Sequence, residues 1–248
     1  MHDPSRAVIC VTGDDREKFL QDMVTNDLSG LDQGIVYAAL LSPQGKFLFD
    51  FFLVRDGDSI LVDVAKDRAP HLAQRLNMYR LRADVAVAGT EIEVSRGLGP
   101  TPPGAFADPR SQELGWRGYD GQLGAPVDWD KVRVQHCVPK TGVELIADQS
   151  FILECGFERL NGVDFRKGCY VGQEVTARMH HKTTLNKGLV TVKIDKQVPV
   201  GTPITSDGKE AGVIYTQFED AGIAYLRFGR AKGTLMAGDA KVEFTPPS

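Results

Sequence analysis

Apolar and polar residues alternate along this chain in two different rhythms, and the change between them divides it. Residues 6–12 alternate with period two and end at Gly13, which predicts a strand and a turn. Asp14, with Glu17 three positions later, has the form of a capping box with Asp in place of Ser or Thr. Behind it Phe19, Leu20, Met23 and Val24 make one apolar helical stripe. The apolar runs 35–41 and 46–54 flank Ser42-Pro43-Gln44-Gly45 and predict a hairpin. Asp56-Gly57-Asp58 marks a turn before a strand over 59–64. A helix is expected from Pro70, burying Leu72, Leu76 and Tyr79 on one face. Strands at 84–88 and 91–96 complete a first sheet.

The stretch 97–127, rich in Gly and Pro and without sustained periodicity, reads as loop or a trimmed subdomain, followed by a short helix at 128–136. From 186 onward, alternations at 188–194, 211–216, 222–228 and 240–244 are separated by Gly, Pro and Asp. Five or six short strands at that spacing predict a small antiparallel barrel or sandwich. The pattern therefore predicts an α+β region over 1–185 and a β-barrel over 186–248.

The chemistry concentrates in Lys167-Gly168-Cys169-Tyr170-Val171-Gly172-Gln173-Glu174. Gly168 and Gly172 can hold the thiol on a sharp turn, and an ammonium at Lys167 favours the thiolate, the form that attacks and binds metals. Two readings are open: a structural turn around an inert Cys, or a reactive thiol. Asn26 and Asp27, at the end of the first helix, read either as turn residues bonded to their own backbone or as inward-facing site residues. His180-His181 point about 100° apart on a helix and have no third ligand at a recognisable spacing, so no metal is assigned.

Composition changes this picture little. Across 248 residues the chain is 42% hydrophobic and 25% charged, ordinary for a soluble globular protein. A net charge of -4 gives no basic stripe for nucleic acid, and no apolar run is long enough for a membrane span. The start, Met1-His2-Asp3-Pro4, lacks a signal pattern, and Cys10, Cys137, Cys155 and Cys169 form no CxxC. A cytoplasmic placement with free thiols is expected.

The octet resembles the signature of the YgfZ family of folate-binding proteins, relatives of the glycine-cleavage T-protein (aminomethyltransferase). The resemblance extends through Gly13–Leu28 with Thr25-Asn26-Asp27, through Leu41–Asp50, through Met78–Val85, and into Val175-Thr176-Ala177-Arg178. It implies a T-protein-like folate-binding region with a C-terminal β-barrel. It also implies tetrahydrofolate or a derivative as cofactor, a role in iron–sulfur cluster assembly or repair, and Cys169 as the working thiol. A cluster usually takes four protein ligands, so one Cys would share it transiently with a partner such as an A-type carrier or a client protein.

A folate site needs hydrogen-bonding groups for the pterin edge, an apolar slot and cations for the glutamate tail. Gln173 and Glu174 suit the edge, Tyr79 or Tyr170 a ring face, and Lys167, Arg178, Arg80 or Arg82 the carboxylates; Gly168, Gly172, Asn26 and Asp27 complete the expected site. The alternative is a folate-dependent aminomethyltransferase or other one-carbon transferase. Against it, Pro70 falls near the position of the T-protein's catalytic acid, leaving Asp63 and Asp67 as the nearby acids.

Overall fold

The structure, a computed structural model, describes residues 2–182 and 185–245. They form two compact units, Met1–Val127 with Phe157–Val175, and Asp128–Gly156 with Thr176–Ser248. The second unit thus takes in residues 128–156 as well as the strands that follow 186.

The first unit is built on an antiparallel sheet in the order β2-β3-β4-β1-β5. Its strands are β1 (Arg6–Thr12), β2 (Ile35–Leu41), β3 (Phe47–Asp56), β4 (Ser59–Ala65) and β5 (Ala86–Gly89). Period-two alternation sends Ile9, Ala38, Phe51 and Val62 to one face. Two helices and a 3-10 turn cover that face. Helix α1 (Arg16–Met23) buries Phe19, Leu20 and Met23, α2 (Ala69–Tyr79) buries Leu72 and Leu76, and the turn Leu28–Gln33 buries Leu28 and Leu31. Tyr79, expected on the buried face of α2, is exposed. The capping box does not form: Glu17 pairs with Arg55 of β3, and Asp15 is the N-cap residue, its carboxylate accepting the Asp84 amide at 2.8 Å. The helix begins one residue later than the box required, and a tertiary partner took the Glu17 side chain that would have completed it.

The other face carries charge. Tyr37, Phe52 and Asp63 lie in register across β2, β3 and β4. Above them stands a second sheet, β6 (Ser95–Gly97), β8 (Trp116–Gly118) and β7 (Phe106–Ala107); β7 and β8 lie in the stretch expected to be loop, while β6 overlaps the end of the strand expected over 91–96 and pairs here and not in the first sheet. Asp63 is fully buried and accepts from Arg6 at 2.6 Å, Arg117 at 2.8 Å and the Tyr119 hydroxyl at 3.0 Å. Arg117 also lies 3.7 Å from the Phe52 ring centroid. Burial alone would raise Asp108, but Arg110 and Arg117 hold its carboxyl below the ordinary value. Burial and the Asp50 carboxylate push the Tyr37 phenol well above its ordinary value. These charges are paired and bonded, which is the condition for burying them. They fasten the small sheet to the large one.

In the second unit a closed barrel runs β10-β11-β12-β9-β14-β13. Its strands are β9 (Lys187–Ile194), β10 (Pro203–Ser206), β11 (Lys209–Phe218), β12 (Ala221–Arg227), β13 (Leu235–Ala237) and β14 (Ala240–Glu243). Val192, Ile204, Ile214, Leu226 and Val242 fill its interior. Helix α3 (Trp129–His136) packs on this unit. Asp128 caps it, and Arg133 reaches Glu144 at 3.0 Å and Thr216 at 2.7 Å. Helix α4 (Gln173–Lys182) leaves the first unit and enters the second. Among the described residues no helix is long and apolar enough to cross a membrane.

Candidate functional site

The octet is a turn locked to the β2–β3 hairpin. Gly172 has φ +80, and a Cβ there would sit 2.4 Å from the Ser42 carbonyl oxygen. Gly45, in the hairpin turn, has φ +73 and would place a Cβ 2.7 Å from Val175 Cβ. Each glycine is therefore required twice, for its conformation and for the close approach of the two turns. Gly168 differs: its φ is not left-handed and a Cβ there would meet open space. The two glycines expected to flank a strained turn have unequal roles.

Lys167 is buried, and its ammonium donates to the carbonyls of Gln21 and Val24, both at 2.6 Å, and of Asn26 at 3.1 Å. Those carbonyls lie at the C-terminal end of α1, where cations are favoured. Burial pulls the ammonium down to about 8, against the carboxylates of Asp27, Asp22 and Asp164. Three N–H donors meet three carbonyls, so none is left for a ligand carboxylate. This corrects the expectation of Lys167 as a folate-tail contact: its work is to close α1 and tie the octet to Thr25-Asn26-Asp27.

That triplet is itself a staple. Thr25 donates to the Gly162 carbonyl at 2.7 Å and accepts from the Ala39 amide at 2.8 Å. Asn26 donates to the carbonyls of Tyr37 at 2.8 Å and Asn161 at 2.7 Å. Asp27 caps the turn Leu28–Gln33 through the Ser29 amide at 2.8 Å and accepts from Gln21 at 3.1 Å. The Ser29 bond is the main reason its carboxyl lies below the ordinary value. Asn26 and Asp27 also line a cleft of about 550 Å³ in the first unit, with Tyr37, Phe106, Asn161 and Asp164 among its walls. No Lys or Arg lines it. Among the expected site residues only Asn26 and Asp27 border this cleft.

Cys169 is exposed, whereas Cys155 is buried and Cys10 and Cys137 are partly so. Burial pushes the Cys155 thiol up to about 12, which leaves it inert near neutrality. Tyr170 is buried, with the Lys167 ammonium 5.2 Å from its ring centroid. Gln173 and Glu174 form the first turn of α4, where an acidic side chain is favoured, and Arg178 is exposed further along. Arg80 donates to the Val85 carbonyl at 2.9 Å. Among the described residues no three His, Cys, Asp or Glu side chains are grouped to hold a metal ion.

Sequence reasoning missed Asp50, Asp108, Arg110, Arg117 and Tyr37. The available signal was a lone Asp in each of two apolar strands, Asp50 and Asp63. Ser95, His2 and Glu93 also line up as hydroxyl, imidazole and carboxylate, each step 3.0 Å. Ser95 is fully buried, so no acyl group can reach it, and the row only anchors residue 2 to β6.

Residues 186–248 match the family described as CAF17, C-terminal beta-barrel domain. The chain is 30% identical to "Iron-sulfur cluster assembly factor IBA57, mitochondrial" of Mus musculus, over 93% of this chain and 78% of that protein. It is 32% identical to the IBA57 homolog of Mycosarcoma maydis over 75% of this chain and 55% of that protein, about half its length. Among solved structures it resembles a glycine cleavage system aminomethyltransferase T from Bartonella henselae, with TM-score 0.74 and 13% identity, covering 96% of this chain and 82% of that one; the likeness shows the fold. Both relatives are named mitochondrial, which overturns the cytoplasmic expectation. Free thiols mark reducing surroundings, and those are not confined to one compartment.

Proposed function

This chain belongs to the IBA57/YgfZ family of iron–sulfur cluster assembly factors, and on that premise we propose that it lends the Cys169 thiolate as one ligand to a cluster carried in by a partner protein. The observation that carries this reading is the exposure of Cys169 on a turn that Gly172, Gly45 and Lys167 hold rigid. A single thiolate supplies one of the four ligands a cluster usually takes, so the remainder come from the carrier. The cluster is cargo in this scheme. Mixing the chain with an A-type carrier loaded with a [2Fe–2S] cluster, followed by size exclusion with iron analysis, is expected to give iron eluting with both proteins together. Iron that stays with the carrier alone contradicts the proposal.

Folate is the second element. The cleft beside Asn26 and Asp27 fits a pterin: its volume is in the small-ligand range, Ile35 and Phe106 offer apolar walls, and Asp27 and Asn161 offer polar groups for the ring edge. Lacking a cation, it does not suit the glutamate tail, so the pterin is the part of the ligand it would take. Calorimetry with 5-formyl-tetrahydrofolate is expected to show affinity falling about tenfold in Asp27→Asn, where the amide can still cap Ser29. Unaltered affinity in that variant removes folate from this cleft. The alternative, a one-carbon transferase, gains nothing from Asp63, whose oxygens are taken by Arg6, Arg117 and Tyr119.

A further inference from the structure

The octet is locked to the corner of the β2–β3 hairpin, and that corner neither borders the cleft nor carries chemistry of its own. Within it the Gly45 amide donates to the Ser42 carbonyl at 2.8 Å, and the Ser42 amide donates to the Lys46 carbonyl at 2.8 Å. Pro43 fixes the first central position of this turn, so Pro43 and Gln44 form a rigid tip. Both residues are exposed, and the Gln44 side chain makes no hydrogen bond among the described residues. A tip already held in shape loses little freedom when a partner covers it.

The contacts place this tip beside Cys169. A Cβ on Gly172 would lie 2.4 Å from the Ser42 carbonyl oxygen and 3.1 Å from the Gly45 Cα. Gly172 follows Cys169 by three residues, a span of at most about 11 Å in an extended chain. The chain is not extended there: the Gln173 amide donates to the Tyr170 carbonyl at 3.2 Å, which draws the segment into a turn. A stable interface covers about 800 Å² on each partner, a patch about 16 Å in radius. A protein that holds a cluster against the Cys169 sulfur and covers such a patch therefore reaches Pro43 and Gln44. Exposed charge over 166–174 is one cation, Arg166, and one carboxylate, Glu174, and residues 42–45 carry none. These two turns offer a partner shape rather than net charge.

We propose that the Pro43-Gln44 tip, together with the Gly168-Cys169 turn, is the docking surface for the cluster carrier, which receives the tip in a recess beside the cluster's open coordination position. This rests on the reading of Cys169 as a shared ligand and names the surface that seats the partner around it.

The test separates docking from ligation. Binding of an A-type carrier loaded with a [2Fe–2S] cluster to the full chain is measured by biolayer interferometry. Gln44→Trp adds bulk to the tip and should weaken binding by about tenfold or more. Asp58→Trp is the control, because Asp58 is exposed beyond the other end of the ten-residue strand β3, about 30 Å away, and this variant should bind as wild type does. Both substitutions fall on exposed turn residues, and both thermal midpoints should match wild type. A lowered midpoint in Gln44→Trp passes the decision to a second readout. The photoreactive residue p-benzoylphenylalanine in place of Gln44 should cross-link to loaded carrier, and in place of Asp58 should not. Wild-type affinity in Gln44→Trp, or no cross-link from position 44, overturns the tip as docking surface and leaves the Cys169 reading standing. A wild-type chain that forms no complex with loaded carrier removes the Cys169 reading and this proposal together. A dimer of the free chain that Gln44→Trp abolishes, seen by sedimentation velocity, assigns the tip to a second copy of the chain and also overturns the proposal.

Discussion

Cys169→Ser is expected to abolish rescue of an iron–sulfur enzyme defect in cells lacking this factor while shifting the melting temperature by no more than about 1 °C. Both halves follow from position. The side chain is exposed and, among the described residues, makes no hydrogen bond or ion pair, so exchanging sulfur for oxygen removes little packing. Function should fall steeply, because a hydroxyl near neutrality is neither a thiolate nor a ligand of comparable softness for iron. Cys10→Ser, Cys137→Ala and Cys155→Ala form the control set. Cys155→Ala should cost stability by emptying a buried site, and rescue should persist in all three. Full rescue by Cys169→Ser would reduce the octet to a structural turn.

The second large effect falls on stability. Lys167→Ala leaves three backbone carbonyls without their shared donor at the end of α1, and the loss should be about 3 kcal/mol. For a chain of this size that corresponds to a fall of about 6–12 °C in the thermal midpoint. Gly172→Ala should cost a similar amount, since its new Cβ meets the Ser42 carbonyl in a left-handed conformation. Gly168→Ala should stay within about 0.5 kcal/mol of wild type, because nothing lies within 4 Å of the added methyl group. Thermal unfolding of the three variants checks the ordering. Equal effects at the two glycines would contradict the interlocked-turn account.

These glycines show where the sequence was legible and where it was not. Two Gly letters in one octet look alike, and only the chain's path past Ser42 makes one indispensable. The barrel was legible because each strand alternates with period two and each turn carries Gly, Pro or Asp. The second sheet was not, beyond the strand expected over 91–96 that overlaps β6, since strands of two or three residues such as β7 and β8 are shorter than any period. Lys167 illustrates the same limit in chemistry. Its nearness to Cys169 in sequence suggested activation of the thiol or a hold on folate, yet its three bonds run to α1 and the turn after it. The lone Asp50 and Asp63 within apolar strands signalled a buried polar face, but Tyr37, the partner of Asp50, and Arg6, Arg117 and Tyr119, the partners of Asp63, come from separate elements that no local pattern connects.

The central claim is that Cys169 itself ligates the cluster, and protection from alkylation tests it most directly. The free chain is treated with iodoacetamide near neutral pH, and modification of each cysteine is followed by mass spectrometry. Cys169 should react first and Cys155 only after unfolding. The same reaction is then run with apo carrier and with [2Fe–2S]-loaded carrier. The account predicts that only loaded carrier protects Cys169, and that chelating the iron restores its reactivity. Alkylation of Cys169 at the same rate with loaded as with apo carrier, under conditions where the loaded complex is formed, would contradict it.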